Sequence, residues 1–164
     1  MEKTLKNLME AFAGESQANR KYLAFAKKAE EEGYPGIAKL FKAAAEAETV
    51  HALSHLRAAG GIKSTKENLE AAIGGETYEF ESMYPPMIED AEKEGAQAAK
   101  RSFYFANEVE KVHADLFKKA LERIDQKFDA DYYVCQGCGH TVEGEPPEKC
   151  PVCGAPKKMY KKVE

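Results

Sequence analysis

The sequence predicts a mainly α protein, a four-helix bundle followed by a small β module tied together by four cysteines. Three observations predict it. Ala and Glu are abundant and β-branched residues sparse through most of the 164 positions, which favours helix. Glycine-containing breaks at Gly33-Tyr34-Pro35-Gly36, Gly60-Gly61-Ile62-Lys63-Ser64 and Glu94-Gly95 divide that stretch into four. All four cysteines lie beyond Phe128, so the expected domains are residues 1–128 and 129–164.

The breaks leave helical stretches at about 3–32, 35–59, 65–94 and 96–126, with Ser64 or Thr65 capping the third. Pro85-Pro86 removes backbone donors inside that third helix, so a kink is expected there, the apolar pattern resuming on both sides. A repeat at a shift of about 62 relates the two halves. Tyr22 matches Tyr84, Glu31-Glu32-Gly33 matches Lys93-Glu94-Gly95, and Glu48-x-x-His51-Ala52 matches Glu110-x-x-His113-Ala114. Gly14-Glu15-Ser16 matches Gly75-Glu76-Thr77 one residue out of step. The bundle reads as two related helical hairpins.

Charge excludes some functions. The net charge is −4 with both signs interspersed, and there is no basic stripe for nucleic acid or polybasic anchor for a membrane. No apolar run approaches the roughly 18 residues a membrane span needs. Met1-Glu2-Lys3-Thr4 opens no signal-peptide core. The expected location is the cytoplasm, where paired cysteines serve as metal ligands rather than disulfides.

A soluble helix turns its charges outward, yet here each apolar stripe contains a carboxylate. The first runs Leu5, Leu8, Phe12, Glu15, Asn19, Tyr22 and Ala26, and the second Ile37, Phe41, Ala44, Glu48 and His51. The third runs Leu69, Ile73, Glu76, Glu79 and Met83, and the fourth Phe103, Ala106, Glu110, His113 and Phe117. Buried unpaired carboxylates cost several kcal/mol each, and metal cations are the natural counter-charge. Glu-x-x-His sets two ligands one turn apart on a single helix face. That motif on two helices, with a Glu from each of the other two, is a di-iron or di-manganese arrangement. Glu15 lies 18 residues before Gly33 and Glu48 lies 15 after it. Glu76 and Glu79 lie 19 and 16 before Gly95, with Glu110 15 after. At about 1.5 Å rise per residue, the ligands of each hairpin converge on one level. Solvated glutamates on frayed faces are the alternative for any single position. His55 shares the stripe without a counterpart in the repeat and reads as structural.

Cys135-x-x-Cys138-Gly139 and Cys150-x-x-Cys153-Gly154 form two knuckles that offer a tetrahedron of thiolates, with glycines permitting turns whose amides point at sulfur. Such a site holds iron or zinc, and the cysteines alone leave both open. His140 lies outside both knuckles. Tyr132-Tyr133-Val134 and Met159-Tyr160 suit short strands around either metal.

The combination resembles the rubrerythrin family along essentially the whole chain. The most specific parts are the two Glu-x-x-His motifs, Gly75-Glu76-Thr77-x-Glu79 followed by Met83-Tyr84-Pro85, and the run from Cys150 to Pro156. The resemblance implies a ferritin-like four-helix bundle followed by a small rubredoxin-like, metal-bound β module. It implies two non-haem irons held by Glu15, Glu48, Glu76, Glu79, Glu110 and His113, with Glu48 and Glu110 as bridges. One iron would exchange Glu79 for His51 on reduction; Glu79 has no partner in the first hairpin, where the matching residue is Ala18. Tyr22 and Tyr84 match tyrosines beside the irons; without the resemblance they read as core aromatics. The implied activity is reduction of hydrogen peroxide to water, a protection against oxidative stress, the pair being re-reduced through one iron at the Fe(Cys)4 site. Electrons would come from rubredoxin or an NAD(P)H-dependent rubredoxin reductase, since this chain has no nucleotide-binding glycine loop. Two further readings are an iron-oxidising storage protein of ferritin type and an electron carrier with a zinc-stabilised tail.

The assembly expected is a homodimer. Only about five residues, 60–64, join the hairpins and reach roughly 17 Å. A return past the metal site spans roughly 30 Å at helical rise. A domain-swapped dimer follows, in which two helices of one chain complete the site with two of another. A simple up-down-up-down bundle is the competing topology. Electron transfer requires the tail near a di-iron site, expected to be a neighbouring subunit's.

Overall fold

Gly33 and Gly60 adopt φ of 81° and 69°, a left-handed conformation that suits glycine, and each stops a helix. In the computed structural model, which describes residues 1–164, these helices are α1, Glu2–Glu31, and α2, Pro35–Ala58. Pro35 opens α2 in its first turn, where the missing N–H has no intrahelical partner to lose. The two pack as a hairpin forming one compact unit, Met1–Lys63. Its seam is alanine: Ala26, Ala29, Ala38, Ala45 and Ala52 are buried, and such small side chains let helix backbones approach. Asn19 fastens the seam, its Nδ2 donating to the Ala45 carbonyl at 2.7 Å and to Thr49 Oγ1 at 2.9 Å.

The second unit is Ser64–Glu164. Ser64 caps α3, Thr65–Tyr78, through a reciprocal pair: its Oγ accepts from the Glu67 amide, and the Glu67 carboxylate accepts from the Ser64 amide. The kink expected at the proline pair takes a definite form. Residues Glu79–Met83 wind as a π turn, after which α4 runs Tyr84–Lys93 with the prolines in its first turn. α5, Gln97–Glu122, returns antiparallel against α3 and α4, ending four residues short of expectation in a 3-10 turn, Ile124–Gln126. No helix is long and apolar enough to cross a membrane.

The tail forms a three-stranded antiparallel sheet in the order β2-β1-β3: β1 Tyr132–Cys135, β2 Thr141–Glu143 and β3 Tyr160–Lys162. Tyr133 pairs with Val142 on one side and Lys162 on the other. The sheet docks on α5 of its own chain. Arg123 grips the Glu143 carboxylate with two parallel hydrogen bonds of 2.9 and 2.6 Å, and its guanidinium lies 4.1 Å from the Phe128 ring centre.

Candidate metal centres

Each hairpin builds one triad of ligands from its own residues. In the first, α1 supplies Glu15 and α2 supplies Glu48 and His51, and their ligating atoms lie within 4.8 Å of one another. Helical spacing sets His51 one turn beyond Glu48, with Nδ1 2.9 Å from Glu48 Oε2. In the second, α3 supplies Glu76 and α5 supplies Glu110 and His113, again within 4.8 Å. Nδ1 of His113 is 2.8 Å from Glu110 Oε2 and 3.8 Å from Glu76 Oε2. The two triads have the same composition and differ in the exposure of their imidazoles, 56% for His51 and 27% for His113.

The second triad is short of positive charge. Burial pushes the Glu76 carboxyl above its ordinary value, and the hydrogen bond and charge of Glu110 push it further, with His113 opposing. Glu79 stands outside the triad at the start of the π turn. Its carboxyl is also raised, first by burial and then by Glu76. Tyr84 senses all three carboxylates: burial raises its phenol, followed by Glu79, Glu110 and Glu76. Carboxylates whose ionisation is disfavoured by burial and by one another suit a divalent metal as counter-charge, and the oxygen-rich set with one imidazole per triad suits iron or manganese.

The phenols obey the repeat. Tyr22 lies 6.1 Å from Phe41 at 35°, and Tyr84 lies 6.4 Å from Phe103 at 36°. Each ring packs across its own hairpin. His55 is half-buried and joins neither triad.

In the tail, the sulfurs of Cys135, Cys138, Cys150 and Cys153 cluster within 4.8 Å. Sγ of Cys135 is 3.7 Å from Cys153, and Sγ of Cys138 is 3.5 Å from Cys150; all four are free thiols. Amides do point at sulfur, from Gly137 and Cys138 to Cys135 and from His140 to Cys138. Burial opposes ionisation of Cys150, but the amides of Cys153 and Val152 and the Tyr160 hydroxyl bring its thiol down to about 6. Burial raises the Tyr160 phenol, and so does its bond to Cys150. A tetrahedral thiolate site for iron or zinc fits this set.

Three residues of the site escape a sequence reading. Tyr160 hydrogen-bonds toward Cys150 and lies 2.9 Å from Nδ1 of His140. His140 is itself buried, with 8% exposure. Thr141 Oγ1 lies 3.0 Å from Nε2 of His113. A threonine on a strand carries no spacing signal, and its importance comes only from docking.

Comparison with known proteins agrees with this geometry. The family model described as Rubrerythrin matches residues 6–121, and that described as Rubrerythrin, rubredoxin-like domain matches residues 133–161. The chain is 36% identical to Rubrerythrin-2 of Clostridium acetobutylicum, over 93% of this chain and 92% of that protein. It is 39% identical to Nigerythrin of Nitratidesulfovibrio vulgaris, over 96% of this chain and 85% of that one. Among solved structures it is similar to fully reduced, all-ferrous nigerythrin, with a TM-score of 0.61 and 37% identity, over 98% of this chain and 86% of that one.

Proposed function

This chain belongs to the rubrerythrin family, and from that premise we propose that it is a non-haem di-iron peroxidase that reduces hydrogen peroxide to water in the cytoplasm. The observation that carries the reading is the pair of matched triads, one Glu plus one Glu-x-x-His on each hairpin. The bundle, residues 1–128, is the reaction domain, and residues 129–164 are the electron entry.

Glu15, Glu48, Glu76, Glu79, Glu110 and His113 would hold two irons, with Glu48 and Glu110 as the shared ligands. Bound there, two ferrous ions would supply the electron pair needed to cleave an O–O bond. The chain's own groups prepare the site. The carboxylates neutralise the cations and exclude other anions. Glu79, on the π turn and outside the triad, and His51, exposed, would be the two groups that alternate as ligands. The phenols of Tyr22 and Tyr84, matched in the repeat, would serve as proton donors to the site, and Tyr84 feels the charge of Glu79, Glu110 and Glu76. The four-cysteine site carries iron and receives electrons from rubredoxin or an NAD(P)H-dependent rubredoxin reductase.

Each hairpin supplies half of a site, so a whole site needs a first and a second hairpin to meet. Six residues separate Ala58 from Thr65, a reach of about 20 Å against a return of roughly 30 Å. That shortfall supports a domain-swapped homodimer, with the first hairpin of one chain completing the site of its partner.

Anaerobic stopped-flow mixing of reduced, iron-loaded protein with peroxide tests the activity. Rapid oxidation of both iron centres with water as product is expected. A reduced protein that ignores peroxide, prefers dioxygen and accumulates an iron mineral would overturn the reading in favour of storage.

A further inference from the structure

His113 differs from its repeat partner His51 in what holds its outer nitrogen. Nε2 lies 3.0 Å from Thr141 Oγ1, and the Thr141 hydroxyl donates its proton to the Gly139 carbonyl at 3.1 Å. A hydroxyl has one proton to give. With that proton committed to Gly139, Thr141 accepts from Nε2–H, which leaves Nδ1 of His113, facing Glu110 and Glu76, as the atom offered to a cation. Gly139 follows the ligand Cys138, and its own amide donates to the Cys135 carbonyl at 2.8 Å. A continuous path therefore runs from Cys135 through Gly139 and Thr141 to His113. It lies wholly within the unit Ser64–Glu164, and the docking of β2 on α5 by Arg123 and Glu143 holds it closed.

We infer that Thr141 is the positioning residue through which the four-cysteine centre delivers electrons to the metal on His113 of the same chain. This rests on the peroxidase reading above. In each transfer the ferrous tetrathiolate iron loses one electron and becomes ferric, while a ferric ion held by His113 gains it and becomes ferrous. No proton travels along this path. Two transfers, each refilled by the external one-electron donor, restore the pair. The tail thus serves the site to which its own second hairpin contributes, whichever chain supplies the first.

The test compares Thr141→Val, which keeps the shape and removes the hydroxyl, with Thr141→Ser, which restores it. In iron-loaded, fully reduced dimer mixed with peroxide, the visible sulfur-to-iron bands report oxidation of the tail. Thr141→Val is expected to slow that oxidation about 10-fold or more, the scale on which partners of metal-bound histidines act. Oxidation of the tail should slow more than oxidation of the bundle, and Thr141→Ser should recover most of the loss. A separate readout uses the zinc-loaded, diamagnetic protein. The His113 Nε2 proton should be visible by NMR and protected from exchange in the parent and in Thr141→Ser, and lost in Thr141→Val. Unchanged tail oxidation in Thr141→Val, or an unprotected proton in the parent, overturns the inference. If the parent fails to consume peroxide, the peroxidase reading fails, and the NMR result still decides whether Thr141 positions His113.

Discussion

The amide of Tyr84 donates to the carbonyl of Glu79, five residues back, and this one bond explains the slip in the repeat. Tyr22 lies seven positions after Glu15, whereas Tyr84 lies eight after Glu76. Seven residues make about two α-helical turns, so an eighth would swing Tyr84 off the inner face by about 100°. The π turn absorbs it. Both phenols then reach equivalent seats against Phe41 and Phe103. The same turn begins with the one glutamate that lacks a counterpart.

As the ligand that alternates with His51, Glu79 should matter less than the triad residues for retaining metal and more for turnover. Glu79→Gln leaves both triads intact, and iron content per chain should stay near that of the parent. Peroxide consumption should fall by about 10-fold or more, a loss typical of a removed group that acts on a reacting metal. Metal analysis beside stopped-flow rates checks both halves, and loss of iron in step with activity would contradict the assignment.

Metal and protons compete for Glu76 and Glu79. Both carboxyls are raised in the folded protein, chiefly by burial, so the folded metal-free state binds protons more tightly than the unfolded one. Metal-free protein should then lose stability as pH rises from the ordinary glutamate range through the raised folded values, the reverse of a salt-bridged carboxylate. Ferrous or zinc ion should cancel that loss and release protons on binding. Thermal melts of metal-free and loaded protein at about pH 5 and pH 7 give the comparison.

The tail should detach in acid. Arg123, through its paired hydrogen bonds, holds the Glu143 carboxyl below its ordinary value of 4.5. Its contribution is present above that value and disappears as pH falls through the depressed folded one. Hydrogen exchange of β2 should accelerate over that acid window, and Arg123→Ala should give the same acceleration at pH 7. Equal protection of β2 in parent and variant would show that the sheet docks by other contacts.

In the first hairpin, Asn19→Ala should destabilise by about 1–3 kcal/mol, because two hydrogen bonds across the seam are lost. Denaturant melts measure it. Little effect should reach the tail's visible bands, which belong to the other unit.

Much of this was legible in the chain because it rests on local periodicity. Glycines marked the helix ends within a few residues, the stripes named Glu15, Glu48, Glu76 and Glu110, and the paired knuckles named the cysteines. The π turn was half-legible: the prolines announced a kink and the repeat slipped by one residue, but neither says that the helix widens instead of bending. Thr141 and Tyr160 were invisible, since their roles arise when a strand meets α5 or a sulfur from distant sequence, and nothing in their spacing foretells that meeting. The tail's attachment to its own second hairpin likewise depends on Arg123 finding Glu143 twenty residues away.

The alanine seam has a consequence beyond packing. Ala45 sits one turn before Glu48 and is 2% exposed, so its methyl group helps gauge the gap between α1 and α2, and with it the span from Glu15 to Glu48. Widening that gap with a bulkier neighbour would resize the cradle without touching a ligand. The choice among cations of different radius is thus written partly in residues that never meet one.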